Sequence, residues 1–134
     1  AVVQGKPKAA QATLENYLVK DPASNLVKVL SKAAPDAKRA LLSYSVLDST
    51  GCMSLVSVKL HTGRSHQIRV QMAHAGHPLV GDVRYGNKTK QRLQIALWGW
   101  RLKLTHPTRK DVMEFTALPP YDYPWSEFQI KPEP

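Results

Sequence analysis

The junction Leu60-His61-Thr62-Gly63-Arg64-Ser65-His66-Gln67-Ile68-Arg69-Val70 constrains this chain more than any other stretch. Upstream, Cys52 to Leu60 is rich in β-branched residues and alternates in the manner of a strand. From Ser65 onward the apolar residues fall at helical spacing. A strand that feeds a helix through a glycine-bearing bend gathers backbone N–H groups and nearby side chains at one spot. Here those side chains are Arg64, His66, Gln67 and Arg69. A spot of that kind holds an anion, either a phosphate or a carboxylate.

The neighbouring segments supply what a single junction needs to fold. Arg39 to Leu47 alternates Leu42, Tyr44 and Val46 against Ser43 and Ser45, and reads as a strand. Asp48-Ser49-Thr50-Gly51 turns it back into a partner strand, Met53 to Leu60. The helix is predicted over about residues 65–75, with Ser65 as N-cap and Gly76 just past the end. Ile68, Met72 and Ala75 form its expected buried stripe, opposite Gln67, Gln71 and His74. Ala1 to Gly5 is already strand-like, so the chain reads as one that starts inside a strand and is truncated at its N-terminus. Leu26 to Leu30 is a further strand candidate. Ala12 to Lys20 fits a short helix or an irregular strand equally well. Leu93 to Leu104 reads as a strand with Trp98 and Trp100 as core, turning back into Val112 to Ala117, and a Pro- and Tyr-rich tail then lies on the sheet. The sum is one α+β domain over residues 1–134, with a mainly antiparallel sheet and one principal helix packed on it.

A chain of 134 residues has the length of one domain and can bury roughly two-thirds of its unfolded surface. Nineteen Lys and Arg against ten Asp and Glu leave a net charge of +9, which favours polyanionic partners. Cys52 is the only cysteine, so an intrachain disulfide is excluded and a reducing, cytoplasmic setting is expected. No apolar run approaches the about 20 residues of a membrane-spanning helix, and no membrane partner is expected.

The motifs resemble a known family. Thr62-Gly63-Arg64-Ser65-His66-Gln67-Ile68-Arg69-Val70, followed by Ala73-His74-Ala75-Gly76-His77-Pro78-Leu79-Val80-Gly81-Asp82 and Tyr85-Gly86, is similar to the RluA-type RNA pseudouridine synthases. Ala1 to Gly5 resembles the end of that family's second motif. Leu102, Thr105-His106-Pro107 and Glu114-Phe115-Thr116-Ala117 resemble its last hairpin. The resemblance implies a catalytic domain with a mixed, mostly antiparallel sheet that isomerises uridine to pseudouridine within ribosomal or transfer RNA, without cofactor or metal. The N-glycosidic bond of the target must break and a C–C bond must form at the same sugar carbon. The uridine has to be flipped out of its stack, and a carboxylate acts as nucleophile. An arginine must keep that carboxylate ionised and oriented in a desolvated pocket.

By the resemblance, Arg69 is the catalytic-site arginine, expected to pair with that aspartate, while Arg64, His66 and Gln67 face the RNA. The family's His-Arg-x-Asp motif and the tyrosine of its second motif have no counterpart here. None of Asp21, Asp36, Asp48, Asp82, Asp111 and Asp122 follows His-Arg at the right spacing. The chain therefore reads as the C-terminal part of the catalytic domain, carrying half of an active site and inactive alone. Asp82 is expected to fix its turn or pair with a nearby arginine. A non-catalytic RNA-binding module of the same fold is the alternative.

Five histidines, His61, His66, His74, His77 and His106, lack the cysteine or paired carboxylate companions of a metal site, and no metal is expected. His74 and His77 are expected to cap the helix end. Lys88-Thr89-Lys90-Gln91-Arg92, Arg101, Lys103, Arg109 and Lys110 read as solvated surface, with some available to an RNA backbone.

Overall fold

Alternating hydrophobicity drives five segments into one sheet in the structure, a computed structural model that describes residues 1–87 and 93–130. The strands are β1 (Val2–Gln4), β2 (Gln11–Lys20), β3 (Val27–Leu30), β4 (Lys38–Ser49) and β5 (Met53–Leu60). Their order in space is β1-β5-β4-β2-β3, and each neighbouring pair runs antiparallel. The mixed sheet implied by the family resemblance is, among the described residues, antiparallel throughout. Helix α1 (Gln67–His74) packs on this sheet, and β6 (Arg101–Thr105) with β7 (Val112–Thr116) forms a separate two-stranded hairpin. The Lys88–Arg92 basic run lies outside the described residues.

The ambiguous segment Ala12 to Lys20 is strand β2. It aligns Leu14 with Leu42 and Ala12 with Tyr44 across β4, so its apolar residues fall on the face that β4 already buries. The consecutive Tyr17, Leu18 and Val19 hide that alternation in the sequence. The β4–β5 hairpin follows expectation, with one addition: the register shifts between Val46 and Asp48, a bulge that takes up one residue.

Adjacent residues on a strand point to opposite faces, and Val2 and Val3 on β1 accordingly belong to two different cores. Val3 joins Leu42, Tyr44, Val56, Leu79 and Met72 of α1 on one face. Val2 joins Met53, Leu55, Val80, Ala96, Trp125 and Phe128 on the other. Of the expected tail, Leu118 to Trp125, only its end packs in this core: Trp125 is buried there with Phe128 beyond it, whereas Leu118, Tyr121 and Tyr123 are exposed.

The expected Leu93–Leu104 strand is shorter. Only Arg101–Thr105 pairs in a ladder, while residues 93–100 are tied by single bonds, Ala96 N–H to Val80 O and Val2 N–H to Ala96 O. Trp98 and Trp100 are not core. Trp98 is 40% exposed and donates its indole N–H to Ala117 O at 3.0 Å. With Trp125, Leu47, Leu55 and Pro119, both line an open cavity of about 510 Å³. Period-two spacing marks which side of the backbone a residue occupies, not whether another layer covers it.

The helix departs from expectation in a more consequential way. Its buried residues are Gln67, Val70, Gln71 and Met72, so two glutamines assigned to the solvent side face the sheet. Gln71 is fully buried, and its amide N–H₂ reaches Leu14 O, Asn16 Oδ1 and Ala40 O at 2.9–3.3 Å. Backbone carbonyls buried under a helix need donors, and glutamine supplies them where leucine cannot. The helix ends as expected. Gly76 takes φ +92°, Gly76 N–H bonds Ala73 O, and His77 N–H bonds Met72 O, the paired bonds of a Schellman cap.

Gly81 has the most demanding backbone. Its φ is +87°, and a Cβ there would collide with the backbone carbonyl of Gln94. Gly81→Ala is expected to lower stability by roughly 1–3 kcal/mol or more; urea unfolding of the two proteins measures it. An unchanged midpoint would show that the 81–94 contact is dispensable.

Candidate functional site

The bend between β5 and α1 is built around Gln67. Its side-chain carbonyl accepts Thr62 Oγ1–H at 2.9 Å and Arg64 N–H at 2.8 Å, and its amide donates to Leu41 O at 3.1 Å. Gln67 is only 3% exposed. It therefore sets the shape of the bend from inside and presents no group to a partner. Ser65 is not the cap. The residue at the cap position is His66, in the left-handed conformation (φ 54°, ψ 22°), with no side-chain cap bond. Gly63 does not carry the left-handed turn that its place in the bend suggests.

Arg64 is exposed, and its Nε donates to Arg39 O at 2.9 Å, which fixes the base of the side chain on the end of β4. Arg69, one turn into α1, is clamped from the loop that follows the helix. Its Nε donates to Asp82 Oδ2 at 2.8 Å and its Nη2 to Asp82 Oδ1 at 3.1 Å. This is the bidentate geometry that a guanidinium forms with a carboxylate. The Asp82 side chain is fully buried and that of Arg69 is 16% exposed. Asp82 also fixes its own turn, because Oδ1 accepts the N–H groups of Arg84 and Tyr85. Asp82 thus both fixes its turn and pairs with an arginine, and the arginine is Arg69. Among the described residues Nη1 of Arg69 has no hydrogen-bond acceptor.

Tyr85 completes the cluster. Its ring lies 5.0 Å beneath the Arg69 guanidinium carbon, within cation–π range. Its hydroxyl is 2.7 Å from His66 Nδ1 and accepts Val27 N–H from β3 at 3.0 Å. The two rings meet edge to face at 5.6 Å. Sequence reasoning placed Tyr85 in a motif without giving it a task. The available signal was Asp82 followed two and three residues later by Arg84 and Tyr85, the spacing of an Asx turn.

The electrostatics follow from this packing. Burial favours the neutral form of Asp82, but the Arg69 guanidinium and the two backbone N–H groups outweigh it and hold the carboxyl below its ordinary value of 3.8. His66 is pushed below 6.5 by burial, then by the positive charges of Arg69, Arg84 and Lys20, with Asp82 opposing. The remaining histidines are dispersed. His61 bonds Ser43, His77 bonds Gln4 O on β1, and His106 accepts the N–H groups of Thr108 and Arg109 in the β6–β7 turn. His77 N–H closes the helix cap, whereas exposed His74 lies in the last turn of α1. Among the described residues no three His, Cys, Asp or Glu side chains converge as a metal site, and no helix is long and apolar enough to cross a membrane.

An exposed arginine at a strand–helix bend, an arginine clamped by Asp82 in the helix that follows, and between them a histidine whose pKa is lowered form a candidate site for an anion-bearing ligand. The family model for RNA pseudouridylate synthase matches residues 1–74, which include both arginines and the histidine. The chain belongs to that family, as its RluA-type motif indicates. It is 34% identical over 122 residues to the RNA pseudouridine synthase YjbO of Bacillus subtilis, covering 91% of this chain and 42% of the relative. It is 32% identical over 136 residues to ribosomal large subunit pseudouridine synthase D of Buchnera aphidicola, covering 91% and 42%. The fold is that of human RNA pseudouridylate synthase domain containing 1, with a TM-score of 0.75 at 24% identity over 90% of this chain and 53% of that one. The chain spans roughly two-fifths of the length of these curated relatives.

The Asp82 clamp makes a stability prediction. Removing one member of a buried pair strands the other charge, so Asp82→Ala is expected to cost roughly 3–5 kcal/mol at neutral pH. The folded-state carboxyl lies below its unfolded value, so the contribution is complete above about pH 5 and fades as pH falls through the folded value. The gap between wild type and variant should therefore narrow in acid. Denaturant unfolding at pH 7 and near pH 3 measures it, and a gap independent of pH would contradict the ionised clamp.

Proposed function

We propose that this chain is the C-terminal part of the catalytic domain of an RNA pseudouridine synthase. That enzyme converts uridine to pseudouridine in ribosomal or transfer RNA, and its nucleophilic aspartate lies outside these 134 residues. The observation that carries the reading is Arg69. It lies inside the family match, sits almost wholly sheathed, and is held in plane by Asp82 and Tyr85. A guanidinium fixed in this way is pre-organised to receive a second carboxylate and to keep it ionised where water is scarce. Nη1 and the second N–H of Nη2 are the donors available for that contact.

Arg64 and His66 are the RNA-facing side chains in this reading. Arg64 is exposed with its stem anchored, and a guanidinium so placed suits a backbone phosphate. Gln67 serves them indirectly by holding the bend. The net charge of +9 brings RNA to this face with strong salt dependence. The isomerisation is redox-neutral and the family resemblance assigns it no cofactor. The single, free Cys52 is consistent with a cytoplasmic setting.

A second reading is a non-catalytic RNA-binding module on the same fold. The observation in its favour is that Asp82 already neutralises Arg69, so the fold needs no further carboxylate. The two readings separate in one experiment. Pseudouridine formation is measured on ribosomal and transfer RNA with the 134-residue chain and with the natural polypeptide that contains it. The chain alone is expected to bind RNA in a salt-dependent way without turnover. The natural polypeptide is expected to turn over, and Arg69→Lys to reduce that by about a hundredfold or more. Turnover by the chain alone would place the nucleophile inside it. Binding without turnover in both would leave the module.

A further inference from the structure

His66 is the one residue of the bend whose chemistry the structure over-determines. It occupies the left-handed region at φ 54°, a conformation that costs a non-glycine residue about 1 kcal/mol or more. Strain of this kind persists where surrounding contacts impose it. Two are visible: His66 O accepts Val70 N–H as the first bond of α1, and His66 Nδ1 meets Tyr85 Oη at 2.7 Å.

Proton accounting decides the direction of the second bond. An amide N–H can only donate, so Tyr85 Oη accepts from Val27 N–H at 3.0 Å. The phenolic proton of Tyr85 then needs an acceptor, and among the described residues the atom in reach is His66 Nδ1. The arrangement that satisfies both groups within the protein has Tyr85 donating and Nδ1 accepting. A neutral imidazole with an unprotonated Nδ1 carries its proton on Nε2. Tyr85 meets the ring, and of the charges acting on it Arg69, Arg84 and Lys20 disfavour a second proton while Asp82 favours it.

Accordingly, we infer that Tyr85 is a positioning residue with two outputs. Its hydroxyl, itself oriented by β3, locks His66 as the neutral Nε2–H tautomer that offers a single donor to the RNA, while its ring holds the Arg69 guanidinium flat. This rests on the reading of His66 as an RNA-facing side chain. Its consequence is specific. The histidine at this bend contacts RNA as a hydrogen-bond donor without charge, and the phosphate attraction is left to Arg64. A neutral donor addresses a base or ribose oxygen as readily as a phosphate, so it can orient a flipped nucleotide where a cation would simply hold the nearest phosphate.

The test is side-chain ¹H–¹⁵N correlation spectroscopy of the histidines in this chain, paired with RNA binding. In the wild type, His66 should show a protonated Nε2 and an unprotonated, hydrogen-bonded Nδ1 at pH 7. Tyr85→Phe keeps the ring and removes the hydroxyl. It should relax that preference toward a mixture and weaken binding to a uridine-containing oligoribonucleotide by about threefold to tenfold. His66→Gln should weaken binding similarly, and the double variant should be little worse than either single one, because both remove the same contact. A protonated Nδ1 in the wild type overturns the inference without needing any variant to fold, as do losses that simply add. His66→Gln binding as wild type, with the tautomer as stated, instead overturns the RNA-facing reading beneath it.

Discussion

A buried carboxylate must find its compensation inside the protein, and Asp82 organises the site because of that requirement. Its side chain has no exposed surface, so its charge is tolerable only with Arg69 on one side and the N–H groups of Arg84 and Tyr85 on the other. Satisfying it ties three things together: the flank of α1, the loop entered through Gly81, and the tyrosine that closes the loop. Tyr85 then reaches β3 through Val27 and the start of the helix through His66. One ion pair thereby fixes the helix rotation, the loop conformation and the outward surface of the bend. Gln67 performs the matching task on the other side, where it joins the bend to Leu41 of β4. The helix is held by polar side chains at its N-terminal end and by Met72 in the apolar core further along.

This explains which features were legible in the sequence. The β4–β5 hairpin could be read because its alternation was unbroken and its turn chemistry local; the predicted β5 bounds match the observed ones. The strand–helix junction was equally clear, and the family motif marked Arg64, His66 and Arg69. What could not be read was which side of the helix the sheet would cover. Hydrophobic periodicity assumes that burial selects apolar residues, whereas here it selected Gln67 and Gln71, since the sheet beneath presents carbonyls that require donors. Trp98 shows the converse error, a large aromatic placed in the core by pattern and left 40% exposed at a cavity. The left-handed residue of the bend is His66 and not the permissive Gly63, because long-range contacts impose it. In each case a contact distant in sequence prevailed over a local preference.

The clamp also sharpens what Arg69 can do. A guanidinium already bound through Nε and one N–H of Nη2 has spent its side edge, so in the proposed enzyme a second carboxylate would meet it end-on, through Nη1 and the remaining N–H of Nη2. One cation between two carboxylates leaves a net negative charge in a desolvated place, and that would raise the carboxyl pKa values unless further positive charge stood nearby. Arg84 and Lys20 are the further cations near this cluster, and they act on His66 after burial and Arg69. Asp82 fixes the direction of the guanidinium before any other carboxylate arrives, so an arriving nucleophile need not organise the arginine itself. Pre-organisation of this sort lowers the cost of assembling a site, and here it comes from a residue whose own bonds are to Arg69 and to the backbone of its turn.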